Sequence, residues 1–135
     1  MPITDLLTRN AKLYGPEKCL TEINLDLQEK HHVTWREYEL IENNPAGEYR
    51  RSMTWHVFNE KANRLANLLL QRGIKKGDKV AILLMNCLDW LPIYFGILKT
   101  GALVVPLNFR YTAEEIKYCL DQADCSALIF GPEFI

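Results

Sequence analysis

The sequence predicts an α/β fold, in which an N-terminal helix and β-hairpin region precede a βαβαβ half-sheet of parallel strands. Three observations carry that prediction. The segment Lys79 to Met85 holds an unbroken apolar run, Val80 to Met85, of strand length, as expected for a strand covered on both faces. Two further short runs, Ala102 to Val105 and Ala127 to Phe130, alternate with stretches whose apolar residues recur at helical period. The connections are short, so each strand, helix, strand unit is a right-handed crossover between parallel strands, and the units together form half of a doubly wound sheet.

The elements follow in order. Leu6, Leu7, Asn10, Ala11 and Tyr14 recur at helical spacing, which predicts a short helix within residues 1 to 16, closed by Gly15-Pro16. A strand is expected over Cys19 to Leu27, where Ile23, Leu25 and Leu27 alternate with polar residues. A second β segment is expected from Val33 to Ile41. The turn cluster Asn43-Asn-Pro-Ala-Gly then allows Glu48 to Met53 to return as a third strand.

Thr54 is the N-cap of a helix whose apolar stripe is Phe58, Ala62, Leu65, Ala66 and Leu69. Gly73 just past that stripe, with Ile74 behind it, predicts a left-handed C-terminal cap. Lys75-Lys-Gly-Asp is a tight turn into the buried strand. The next helix, Asp89 to Thr100, tolerates Pro92 in its first turn and is apolar nearly all round, so deep burial is expected; Asp89 is read as its cap and Gly101 ends it. Pro106 stops the second parallel strand. Thr112-Ala-Glu-Glu is a capping box that opens a helix with Ile116, Cys119, Leu120 and Ala123 inward.

Composition limits the function classes. A chain of 135 residues, 48% hydrophobic and 24% charged, is long enough for one well-buried core and is neither disordered nor fibrous in character. A net charge of −1 with interspersed signs offers no surface for neutralising many phosphates, so nucleic acid is not an expected partner. No apolar run approaches the ~20 residues of a membrane span, and Met1-Pro-Ile-Thr-Asp lacks the basic start of a secretory signal. A cytoplasmic location is expected. Cys19, Cys87, Cys119 and Cys125 have no metal-type spacing, and the adjacent His31 and His32 would point to opposite faces of a strand, so free, partly buried thiols and no metal site are expected.

Ligands of open α/β sheets bind beyond the carboxyl ends of the strands, which here are Asn86-Cys-Leu-Asp, Leu107-Asn-Phe-Arg-Tyr and Gly131-Pro-Glu. None has the glycine pattern that lets backbone approach a pyrophosphate. Arg110, in a strand-to-helix loop, has the fork geometry to bind a phosphate, but an exposed ion pair with Glu114 or Glu115 is the commoner arrangement and is favoured. Asn108 either fixes that loop or contacts a ligand, and the turn role is favoured. Cys87 precedes a helix start but has no identifiable base partner, so a structural thiol is expected; Trp35, Trp55 and Trp90 are expected to pack.

Met53-Thr-Trp, Lys61-Ala-Asn-Arg-Leu-Ala-Asn-Leu-Leu, Gly73-Ile-Lys-Lys-Gly-Asp-Lys-Val-Ala-Ile-Leu-Leu-Met-Asn, Tyr94-Phe-Gly-Ile-Leu-Lys-Thr-Gly-Ala-Leu-Val-Val-Pro-Leu-Asn and Tyr111-Thr-Ala-Glu-Glu-Ile resemble, in that order, the N-terminal part of adenylate-forming (AMP-binding) enzymes, acyl-CoA synthetases in particular. The resemblance implies a larger N-domain of which residues 1–135 are the N-terminal portion, truncated at the C-terminus, with 1–52 as the helix plus β-hairpin region and 53–135 as the α/β subdomain. It implies a parent that activates a carboxylic, expectedly fatty, acid with ATP and Mg2+ through an acyl-adenylate and passes the acyl group to CoA. The phosphate loop and catalytic lysine of that family have no counterpart in these residues. The chain alone is therefore expected to be inactive and to bind no cofactor tightly. Likeness to the family also places Asn108 and Arg110 near the nucleotide part of CoA. Catalytic residues are expected elsewhere, and residues 28–51 are longer than the family's usual hairpin. The other readings are a non-catalytic binding or regulatory module on the same scaffold and an unrelated flavodoxin-type binding protein. The latter predicts acidic or phosphate-loop residues at strand ends, which the sequence lacks.

Overall fold

The computed structural model describes residues 1–23 and 50–135. The expected segment Val33 to Ile41, the turn at Asn43, Leu25 and Leu27, and His31, His32 and Trp35 lie outside the described residues. Helix α1 (Ile3–Leu13) ends where expected, at Tyr14 before Gly15-Pro16. Of its apolar residues only Leu7 and Ala11 are buried, whereas Leu6 and Tyr14 face out. Strand β1 (Lys18–Ile23) pairs antiparallel with β2 (Arg50–Thr54), Leu20 opposite Met53 and Ile23 opposite Arg50. The expected third strand thus exists and runs on to Thr54.

Helix α2 (Trp55–Gln71) starts at Thr54, whose hydroxyl accepts from the Val57 amide at 3.3 Å. Its predicted stripe is the buried one: Phe58, Ala62, Ala66 and Leu69 are core, and Leu65 is half-buried. At the C-terminus Gly73 has φ +91°, the Ile74 amide donates to the Leu69 carbonyl at 3.0 Å and the Gly73 amide to Leu70 at 3.0 Å. This is the double-bonded helix ending that only a residue tolerant of positive φ closes without strain. The turn that follows is fixed by Asp78, whose carboxylate accepts from the Lys75 amide at 2.8 Å.

Strand β3 (Lys79–Leu83) is central in a parallel sheet of order β4-β3-β5, flanked by β4 (Leu103–Pro106) and β5 (Ala127–Phe130). It stops two residues short of the expected Met85. Its neighbours end first: the Leu107 amide bonds the Ile82 carbonyl and the Gly131 amide the Leu83 carbonyl, after which no ladder remains. Strand β4 is displaced by one residue toward Pro106, which an edge strand accommodates because one of its faces needs no donor.

Helix α3 (Trp90–Lys99) joins β3 to β4, and α4 (Ala113–Ala123) joins β4 to β5. Every residue of α3 is buried or half-buried, as its all-round apolarity predicts. Asp89 does not cap it: its backbone is already helical, and its carboxylate pairs instead with the Lys61 ammonium at 2.5 Å. The capping box at α4 is present in both directions, while Ile116, Cys119, Leu120 and Ala123 are only half-buried. Val80, Ile82 and Ile97 are 0–1% exposed and form one core with Leu69, Ile74 and Ala102. A second core joins Leu7, Met53, Phe58 and Ala62 beneath the antiparallel pair. Burying each large aliphatic contributes roughly 1.5–3 kcal/mol, so α2, which supplies both cores, holds the two sheets together. Among the described residues no helix is long and apolar enough to cross a membrane.

Candidate functional site

Parallel strands put their carboxyl ends on one edge, and β3, β4 and β5 deliver Met85-Asn86-Cys87, Leu107 to Tyr111 and Gly131 to Glu133 there. The β4–α4 loop is built by Asn108. Its side-chain oxygen accepts from the Arg110 amide at 3.0 Å and its carbonyl from the Tyr111 amide at 3.0 Å, a side-chain-stabilised turn. Asn108 thus performs the favoured turn role.

Arg110 departs from the favoured reading. Among the described residues its guanidinium makes no ion pair with Glu114 or Glu115; it lies 5.5 Å from the centre of the Phe109 ring. The physical reason is that Glu115 is already engaged. Its carboxylate accepts from the Thr112 amide at 2.8 Å and the Thr112 hydroxyl at 3.0 Å, and those donors, the amide foremost, hold its pKa below the ordinary glutamate value. The loop therefore presents an exposed, uncompensated cation beside two partly exposed rings, Phe109 at 38% and Tyr111 at 39%.

The sequence marked the third strand end but not what Glu133 does there. Its carboxylate accepts from the Met85 amide at 3.2 Å, tying the exit of β5 to the start of the β3–α3 loop. Gly131 is what makes this possible: a Cβ there would lie 2.2 Å from the Glu133 carboxylate. On the other side of the β3–α3 loop, Leu20 to Ile23 of β1 and Asn86, Cys87, Leu88 and Leu91 line a groove of about 400 Å³. No sequence signal pointed to it, because one wall is strand β1 and the other is the β3–α3 loop with the first turn of the following helix, more than sixty residues away in sequence.

Cys87 is half-buried in that groove; all four cysteines are free, and burial pushes the Cys19 and Cys125 thiols up. Trp55 stacks on Phe58 and Trp90 on Tyr94, so both described tryptophans pack as expected. Lys99 was not singled out by the sequence, yet its ammonium donates to Asn59 at 2.7 Å, Asn63 at 2.6 Å and Thr8 at 3.4 Å, joining three helices. Burial lowers its pKa, and the charge of Asp5 partly opposes that. The signal was present in retrospect: Asn59 and Asn63 stand one helical turn apart on the polar side of α2. Among the described residues no three side chains are grouped to hold a metal ion.

Comparison with known proteins gives consistent results. The sequence profile of the AMP-binding enzyme family matches residues 28–133. A medium/long-chain-fatty-acid–CoA/3-oxocholest-4-en-26-oate–CoA ligase of Mycobacterium marinum is 42% identical over 82 residues, 61% of this chain and 15% of that protein. A crotonobetaine/carnitine–CoA ligase of Salmonella typhimurium is 39% identical over 84 residues, 62% of this chain and 16% of that protein. The N-terminal domain of FACL13 from Mycobacterium tuberculosis superposes with a TM-score of 0.74 at 25% identity, over 98% of this chain and 28% of that one. The chain thus spans about 15% of the length of the curated relatives it matches. With the profile covering most of the residues and the α/β scaffold shared throughout, the chain belongs to the AMP-binding enzyme family.

Proposed function

We propose that this chain is the N-terminal portion of an ATP-dependent acyl-CoA synthetase acting on a carboxylic acid, with 1–52 as a helix and hairpin region and 53–135 as the α/β subdomain. The observation that supports it most is the 42% identity to a fatty-acid–CoA ligase across 82 residues. In the proposed reaction a carboxylate oxygen attacks the α-phosphorus of ATP and pyrophosphate leaves. The CoA thiolate then attacks the acyl carbonyl and AMP leaves.

The part played by these residues is scaffold and one contact. No strand end here carries a glycine-rich loop, and the described residues offer no grouped metal ligands, which supports assigning ATP and its Mg2+ to residues outside the described ones. Arg110 fits a CoA phosphate, because its guanidinium is exposed and pairs with no carboxylate among the described residues, and Asn108 fixes the loop that carries it. The same reading places the protein in the cytoplasm.

Acid-dependent ATP–pyrophosphate exchange tests the proposal. A protein containing this chain and the rest of its domain should exchange with a fatty or related acid, and residues 1–135 alone should not. Activity from the 135 residues would remove the claim of inactivity; none from the longer protein with any acid would remove the ligase. Arg110→Ala should raise KM for CoA roughly tenfold to a hundredfold and leave exchange unchanged, since a charge-assisted hydrogen bond is worth roughly 1.5–3 kcal/mol.

A further inference from the structure

Lys99 differs from the other described lysines in what surrounds its ammonium. Each of the others is either exposed or, in the case of half-buried Lys79, faces a carboxylate, that of Asp124 at 3.9 Å. Lys99 is half-buried and meets uncharged oxygens: Asn63 at 2.6 Å, Asn59 at 2.7 Å and Thr8 at 3.4 Å. The composition of the three helices explains why. Asp5 and Glu60 are the only acids of α1, α2 and α3, and Glu60 is held by Arg64 at 2.5 Å. Burial pulls the Lys99 pKa below the usual lysine value, and the charge of Asp5 opposes it more weakly.

The amine is also within reach of a reagent. It stands in the wall of a polar cavity of about 480 Å³ with Thr4, Asp5, Thr8, Asn63 and Asn67. Losing a proton leaves the two short bonds intact, because a neutral amine keeps two N–H donors, enough for Asn59 and Asn63. Its lone pair then takes the longest of the three directions, toward Thr8 in the cavity wall. The Thr8 hydroxyl donates its own proton to the Thr4 carbonyl at 3.2 Å, so it does not tie that lone pair up.

We propose that Lys99 is an acylation site, at which an acyl thioester entering the cavity transfers its acyl group to this amine and the product unpins α1. The lone pair attacks the thioester carbonyl, the carbon–sulfur bond breaks, the thiolate leaves and the nitrogen gives a proton to water. The resulting amide has one N–H where the ammonium had three, so it holds one of the three oxygens instead of all. Helix α1 then depends on the burial of Leu7 and Ala11.

Incubating the 135-residue chain with acetyl-CoA, digesting it and reading each lysine by mass spectrometry decides the matter. Lys99 should be acetylated severalfold faster than the exposed Lys12, Lys75 and Lys76, and in a chain unfolded in urea that lead should vanish. Asn59→Asp sets a carboxylate against the ammonium and should slow Lys99 roughly tenfold while leaving the exposed lysines unchanged. The acetylated chain should show faster hydrogen exchange along α1. A Lys99 no faster than the exposed lysines, a lead that persists in urea, or an Asn59→Asp chain acetylated as fast as its parent would overturn the site. Unchanged exchange would overturn the release of α1. Should the Asn59→Asp chain fail to fold, the folded and unfolded parent still give the answer. Because the acetyl-CoA is added, the outcome does not depend on the ligase reading.

Discussion

The helix seam between α2 and α3 should not accept a single added methyl group. A Cβ built on Gly96 of α3 would lie 3.0 Å from both Cβ and Cδ2 of Leu65 and 3.1 Å from the carbonyl oxygen of Ala62. Two effects oppose each other in Gly96→Ala. Alanine is the better helix former by about 1 kcal/mol, which alone would stabilise a helix interior. Overpacking of a tight core costs about 1–3 kcal/mol, and here the obstacles are a helical carbonyl and a Cβ, neither of which moves by rotating a side chain. Gly96 is buried and α2 supplies both cores, so relief requires the helices to separate and loosens contacts on each side. The net expectation is a loss of about 1–2 kcal/mol, toward the upper part of the overpacking range less the propensity gain. Urea unfolding followed by circular dichroism measures it as a lower midpoint at unchanged slope. A Gly96→Ala chain as stable as its parent, or more so, would refute the reasoning, because helix propensity would then have outweighed the steric contact.

Other expectations follow from the sites already described. Replacing Gly131→Ala should push the Glu133 carboxylate off the Met85 amide, seen as faster hydrogen exchange at Met85; an unchanged exchange rate would mean that the carboxylate does not hold the loop. Glu115 has its pKa depressed in the fold by the Thr112 amide and then its hydroxyl, so its contribution is present above the unfolded glutamate value and is lost as pH falls through the lower folded value. Glu115→Gln should therefore flatten the acid limb of the stability profile, and a limb identical to that of the parent would count against this carboxylate as its source. Lys99→Met removes an ammonium that joins Thr8, Asn59 and Asn63; a destabilisation of about 1–2 kcal/mol, together with faster exchange along α1, is expected because the partners are partly exposed and water replaces some of the lost bonds. If α1 stays equally protected, Leu7 and Ala11 alone anchor it.

What the residues determined by themselves was local. The Thr54 and Thr112 caps, the positive-φ glycine at Gly73 and the apolar run at β3 are set by neighbours a few positions away, and each stands where the pattern put it. The turn role of Asn108 was equally legible, since the bond from the Arg110 amide spans two residues. Tertiary structure decided the rest, because it depended on groups distant in sequence. Asp89 is drawn from capping by Lys61 on another helix, and Glu133 meets Met85 from the neighbouring strand. Among the described residues Arg110 pairs with no carboxylate, Glu115 being held by both donors of Thr112, and Lys99 finds its three acceptors across two other helices. Periodicity could show that α1 has a wide apolar side, but only the packing of Leu7 and Ala11 decided which part of it would be left in water.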